Sequence, residues 1–193
     1  MNFVLGFAPF IAFFVLMRTV SVQAGVWTAA AFALLTAVRD LTRRRPLKIL
    51  EVGSVLLFGA TALLTSFAHI DWTVGKVRLL VDGGLLMIVL VSLAIGRPFT
   101  LAYARERVSA EYWNSPLFFN INRVITWVWA AAFAVMSAAD AAAVYVPQIP
   151  LWIDIAATLA ALGTAITFTL RYPERARRQA TNAPTRNTST SEG

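Results

Sequence analysis

Lysine and arginine are segregated along this chain, and that segregation constrains its fold more than any single motif. Fourteen of the seventeen basic residues fall in three places: Arg39, Arg43, Arg44, Arg45 and Lys48; then Arg97, Arg105, Arg107 and Arg123; then Arg171, Arg175, Arg177, Arg178 and Arg186. Long apolar stretches separate them. Because Lys and Arg beside short loops are retained on the cytoplasmic side of a bilayer, the three clusters are expected on one face, with Arg18, Lys76 and Arg78 on the other.

A membrane-crossing helix needs about 20 mostly apolar residues. On that criterion the sequence predicts spans at 3–20, 22–38, 47–68, 79–95, 124–146 and 151–170. The expected fold class is all-α: a polytopic transmembrane bundle of about six helices with both termini cytoplasmic. An odd number of crossings would put one basic cluster outside. The connection between the first two spans is very tight, so whether both cross completely stays open. The N-terminal apolar run has no basic segment before it and reads as a retained helix, not a cleaved leader.

Composition agrees. Hydrophobic residues make up 58% of the chain, charged residues 14%, and the mean hydropathy is +0.66, far from the balance of an ordinary soluble domain. An isoelectric point near 10.8 would suit nucleic acid. Here, though, the charge sits between apolar spans with no basic face carrying stacking aromatics, and nucleic-acid binding is not expected. There is no cysteine, which excludes disulfides and thiolate metal sites. The single histidine, His69, cannot provide paired axial haem ligands. With no nucleophile–base pair, phosphate loop or metal-spaced cluster, the sequence predicts no enzyme, no metal and no cofactor.

The stretch 97–122 mixes Arg105 and Arg107 with Tyr103, Tyr112 and Trp113, and is expected to lie along the cytoplasmic interface with Leu101, Val108 and Tyr112 on one face. The segment 172–193 is expected to be a disordered basic tail after Pro173, its first arginines near anionic lipid. Two ladders of small residues suit close helix packing: Gly25, Ala29, Ala33 and Ala37, and Ala130, Ala134, Ala138 and Ala142. The chain therefore has the bilayer, membrane-protein neighbours or copies of itself as its expected partners.

Ionisable residues inside a membrane are costly and become functional candidates by default. Asp140, Asp82 and Asp154 gather with Asp71 toward the outer side. Asp82 follows Arg78 by four positions, which predicts a local ion pair. Asp154 opens the last helix, where an acid suits the helix N-terminus. Asp140 lies on the side of its helix opposite Ala138 and Ala142, so it faces another helix or a polar cavity. It is either a paired or protonated structural residue or part of a proton or cation site. On the inner side Glu51 is expected to pair with Lys48, and Asn122 and Arg123, with Asn120, to cap and anchor the fifth helix.

Several motifs follow one another in a recognisable order. They are Phe7-Ala8-Pro9-Phe10 with Phe13-Phe14 and Arg18; Phe58-Gly59-Ala60-Thr61-Ala62-Leu63; Trp72; Arg97-Pro98; Ile121-Asn122 with Trp127 or Trp129 and Phe133; and Pro147-Gln148 with Trp152. Over residues 5–172 this series resembles the intracellular septation protein A family of small bacterial inner-membrane proteins. The resemblance implies a role in envelope maintenance or cell division (septation) through membrane-protein contacts, without a known catalytic reaction. Thr73 stands where that family has a lysine, the last helix lacks a lysine, and Asp140 replaces an asparagine. The alternative reading from the residues themselves is a small proton- or cation-coupled transporter or channel built on the outer carboxylates.

Overall fold

The computed structural model describes residues 9–13, 15–17, 20–44, 46–67, 72–146 and 148–182, and among these every regular element is helical. The elements are α1 (Val22–Thr42), α2 (Ile49–Phe67), α3 (Val74–Ala94), α4 (Phe99–Arg105), a 3₁₀ turn (Ala110–Tyr112), α5 (Pro116–Tyr145) and α6 (Leu151–Asn182). Residues 9–13 and 15–17 are also helical, with Phe10 and Phe13 tilted against Phe58 of α2. The expected first span is thus seen in part. The rest of it, with His69, Asp71 and residues 183–193, lies outside the described residues.

Among the described residues, five helices are long and apolar enough to cross a membrane: α1, α2, α3, α5 and the Trp152–Gln179 portion of α6. They pack in series, α1 on α2, α2 on α3, α3 on α5 and α5 on α6. The outward faces carry Leu56, Phe67 and Leu170, each at least 66% exposed. Apolar surface on that scale marks faces that meet lipid or another protein. The result is a polytopic helical bundle.

Local signals set the helix ends. Ser21, Thr73 and Ser115 cap α1, α3 and α5, each side chain accepting a hydrogen bond from a main-chain N–H three residues on, which satisfies an otherwise unpaired donor of the first turn. Pro116 follows Ser115, where its missing N–H costs nothing. At the other end of α3, Gly96 adopts φ +69, Arg97 N–H reaches the Ser92 carbonyl and Gly96 N–H the Leu93 carbonyl. That paired closure needs a left-handed residue and so favours glycine.

The boundaries correct the sequence reading in three places. α3 begins at Val74 and not at 79, because Thr73 caps it, and Lys76 and Arg78 are therefore helical. α5 begins at Pro116 and not at 124. Its 30 residues reach about 45 Å at 1.5 Å per residue, more than the ~30 Å hydrocarbon thickness. α6 runs through Pro173 to Asn182, where a disordered tail was expected from 172. The residues after Pro173 include Glu174, Arg175, Ala176, Arg177, Arg178 and Gln179, all good helix formers, and Glu174 precedes Arg178 by a favourable four positions. Stacking of Phe168 on Tyr172, centroids 4.7 Å apart, braces the turn that the proline weakens.

The two small-residue ladders have different fates. Gly25, Ala29 and Ala33 are buried, and a Cβ on Gly25 would come within 3.0 Å of the Met17 main-chain nitrogen. Ala134 and Ala138, by contrast, point away from the bundle.

Candidate functional site

The buried charges collect in two clusters, one at each end of α3. Among the described residues, each sets one basic side chain among three acidic ones.

At the end where α1 turns into α2, Lys48 Nζ lies 3.0 Å from Asp40 Oδ2, 2.9 Å from Glu51 Oε1 and 3.1 Å from Glu106 Oε1. Asp40 comes from the last turn of α1, Glu51 from the first turn of α2, and Glu106 caps α4. Glu51 Oε2 also accepts the Lys48 main-chain N–H at 3.1 Å, an arrangement that closes the start of α2. The ammonium lies 5.1 Å over the ring of Tyr103, close enough for a cation–π attraction. Burial pushes the Lys48 ammonium down, but hydrogen bonds to Glu51 and Asp40 outweigh it and hold lysine above its ordinary value. Burial pushes the Tyr103 phenol up, and the neighbouring Glu51, Glu106 and Asp40 charges push it the same way. The predicted Lys48–Glu51 pair is present. Asp40 and Glu106 were missed, since the partners sit eight residues before Lys48 and 58 after it, with no local periodicity linking them.

At the other end, Arg78 in the first turns of α3 reaches across two neighbouring helices. Its guanidinium lies 2.9 Å from Asp140 Oδ1 on α5 and 2.5 Å from Asp154 Oδ2 on α6. It also donates to Asp154 Oδ1 at 3.2 Å and to Thr158 Oγ1 at 3.3 Å. Bidentate pairing of this kind is what a planar guanidinium does and an ammonium cannot. The expected local pair of Arg78 with Asp82 is corrected: Asp82 lies instead against Asp140, because the guanidinium extends toward α5 and α6. Asp154 does open its helix, but buried on Arg78 and not facing water. Asp140 is buried on the side away from Ala138, as its helical position requires.

Asn122 and Arg123 are not an entrance cap, since Ser115 holds that position two turns earlier. Asn122 is buried and donates from Nδ2 to the Phe118 carbonyl at 2.8 Å; its own carbonyl accepts from Thr100 at 3.0 Å and Thr126 at 2.9 Å. This polar contact fastens α4 to the N-terminal half of α5. Arg123 is exposed. On α4 the inward face is Phe99, Thr100 and Tyr103, whereas Tyr112 is exposed and Leu101 and Val108 are only half-buried. The expected face was one position out of phase because α4 ends at Arg105 and does not continue to Tyr112. Of the two tryptophans left open, Trp129 enters the core, donating to Thr169 Oγ1 at 3.0 Å, and Trp127 faces outward.

The chain is similar to the inner membrane-spanning protein YciB of Delftia acidovorans (strain DSM 14801 / SPH-1), at 28% identity over 162 residues, covering 80% of this chain and 74% of that protein. This is a multi-pass inner-membrane protein. No protein-family model and no solved structure matches the chain. Its long apolar helices place it in contact with lipid.

Proposed function

We infer that the protein is a non-enzymatic factor of cell-envelope maintenance or cell division, acting through contacts between its helices and those of other membrane proteins or further copies of itself. The observation that carries this reading is the orientation of α5. Its acidic residue is turned inward onto Arg78, while Ala134 and Ala138 face outward, where small residues let a second helix approach closely. Similarity to a protein named inner membrane-spanning is in keeping with it, as is the order of motifs shared with the septation family.

A photocrosslinking residue at Ala134 or Ala138, used in native membranes, is expected to give adducts to another membrane polypeptide. The same residue at the buried Ala132 is expected to react only within the chain. Equal patterns at all three positions would remove the association surface.

One observation favours a second reading. The outer cluster holds more carboxylates than its arginine pairs, as a proton- or cation-coupled carrier would require. Proteoliposome flux separates the two: the association reading expects no flux from the wild type and unimpaired partner binding in Asp140→Asn, whereas a robust flux lost in that variant would overturn it.

A further inference from the structure

Among the described residues, the outer cluster carries more negative charge than Arg78 neutralises. Asp82, Asp140 and Asp154 are each no more than 2% exposed. Asp154 takes both guanidinium arms and sits in the first turn of α6, where the helix dipole supplies about half a positive charge. Asp140 takes a further ion pair from the same arginine. That leaves Asp82 of α3 against Asp140 of α5, carboxyl beside carboxyl, with Arg78 one turn away on α3 and Asp154 and Thr158 on α6 completing the surroundings.

Hydrogen bonding in this corner is incomplete in a specific way. Asp82 Oδ2 and Asp140 Oδ2 are buried with no hydrogen-bond donor, while Asp140 Oδ1 lies 2.9 Å from the Arg78 guanidinium. Buried acceptors without donors are costly, and buried adjacent like charges more so. The donor that fits between two facing carboxyl groups is a hydrogen carried by one of them. A metal ion fits poorly, because among the described residues no three acidic or histidine side chains converge closely enough to hold one.

We propose that Asp82 and Asp140 bind one proton between them at neutral pH, and that this shared proton fastens α3 to α5 beside the Arg78 ion pairs. With it in place, one hydrogen replaces a repulsion by a hydrogen bond. The remaining excess is a single negative charge near the α6 N-terminus. The site is a proton-binding lock at the outer end of the bundle and requires no transport cycle.

Infrared spectroscopy of the full-length protein in lipid nanodiscs at pH 7 tests it. The wild type is expected to show a protonated-carboxyl C=O stretch that shifts in D₂O and shifts again with carboxyl-¹³C aspartate. Asp82→Asn and Asp140→Asn should each abolish the band, and Glu51→Gln should leave it. Absence of the band in the wild type, or its survival in either aspartate variant, would overturn the proposal. So would a wild type without the band whose unfolding temperature rises with Na⁺ or Ca²⁺, since the site would then hold a cation. The isotope shift needs no substitution, so a variant that does not fold leaves the test intact.

Discussion

The Lys48 and Arg78 ends of the bundle, the inner and outer ends expected from the basic-residue pattern, both set one cation among three described carboxylates, yet they use different cations and different amounts of water. Lys48 sits in a loop on a flexible stem and gives one donor to each of Asp40, Glu51 and Glu106, the last of which is 25% exposed. Arg78 is held in a helix and meets Asp154 with two parallel bonds while reaching Asp140 and Thr158. No member of the outer group is more than 6% exposed. A compact ammonium suits three partners at the edge of water, whereas a rigid fork suits a dry site between helices. The difference also assigns mechanical roles, since Lys48 ties α1, α2 and α4 together and Arg78 ties α3, α5 and α6.

The largest expected effect follows from removing the cation at each end. Arg78→Met should destabilise the bundle by about 3–5 kcal/mol, the usual result of leaving buried charges unpaired. Lys48→Met should cost roughly 1–3 kcal/mol, because Glu106 can turn to solvent and relieve part of the imbalance. Unfolding in mixed micelles under increasing denaturing detergent measures both. Equal losses would mean that the ends are equally dry, and the contrast drawn from exposure would fail.

Much of this arrangement was legible in the sequence, and the part that was not has a physical reason. Basic-residue segregation and apolar length are one-dimensional signals, so the helical membrane class and most of the span positions could be read directly. The burial of Asp140 on the side opposite Ala138 also followed from helix geometry alone. Three-helix convergence on Arg78 did not, because residues 78, 140 and 154 are brought together by packing and not by spacing; the local i,i+4 rule pointed to Asp82 instead. The helical course of residues 172–182 was missed because Pro173 was weighed as a terminator, while the flanking helix-forming residues and the Phe168–Tyr172 stack favour continuation.

Between the two clusters, α2 and α3 touch through paired glycines that keep the ends in register. A Cβ on Gly53 would lie 2.7–2.8 Å from three side-chain carbons of Ile88, and one on Gly84 would collide with the end of Leu57. Ile88 is β-branched and has little freedom to withdraw in a helix, whereas Leu57 can swing its terminal methyls aside. Gly53→Ala should therefore destabilise by about 1–3 kcal/mol through overpacking, and Gly84→Ala by less. Spin labels placed on α2 and α3 would also report an altered interhelical distance in Gly53→Ala. If Gly84→Ala proves the more damaging, the α2–α3 contact is more rigid at Leu57 than side-chain branching implies.

The smallest effect separates the two ends by titration. Lys48 is held above the ordinary lysine value of 10.5; its contribution is complete below that value and declines as pH rises through the higher folded one. Tyr103 is held above 10.0, so the unfolded phenol ionises first and stability again falls on the alkaline side. Both effects lower stability on the alkaline side. Unfolding measured from pH 8 to pH 11 should therefore decline in the wild type, with a shallower slope in Tyr103→Phe and in Lys48→Met. The same scan in Asp82→Asn isolates whatever the outer carboxyl pair adds. An alkaline slope unchanged in both Tyr103→Phe and Lys48→Met would show that the inner end does not govern the alkaline limit, and the division of roles between the two clusters would have to be redrawn.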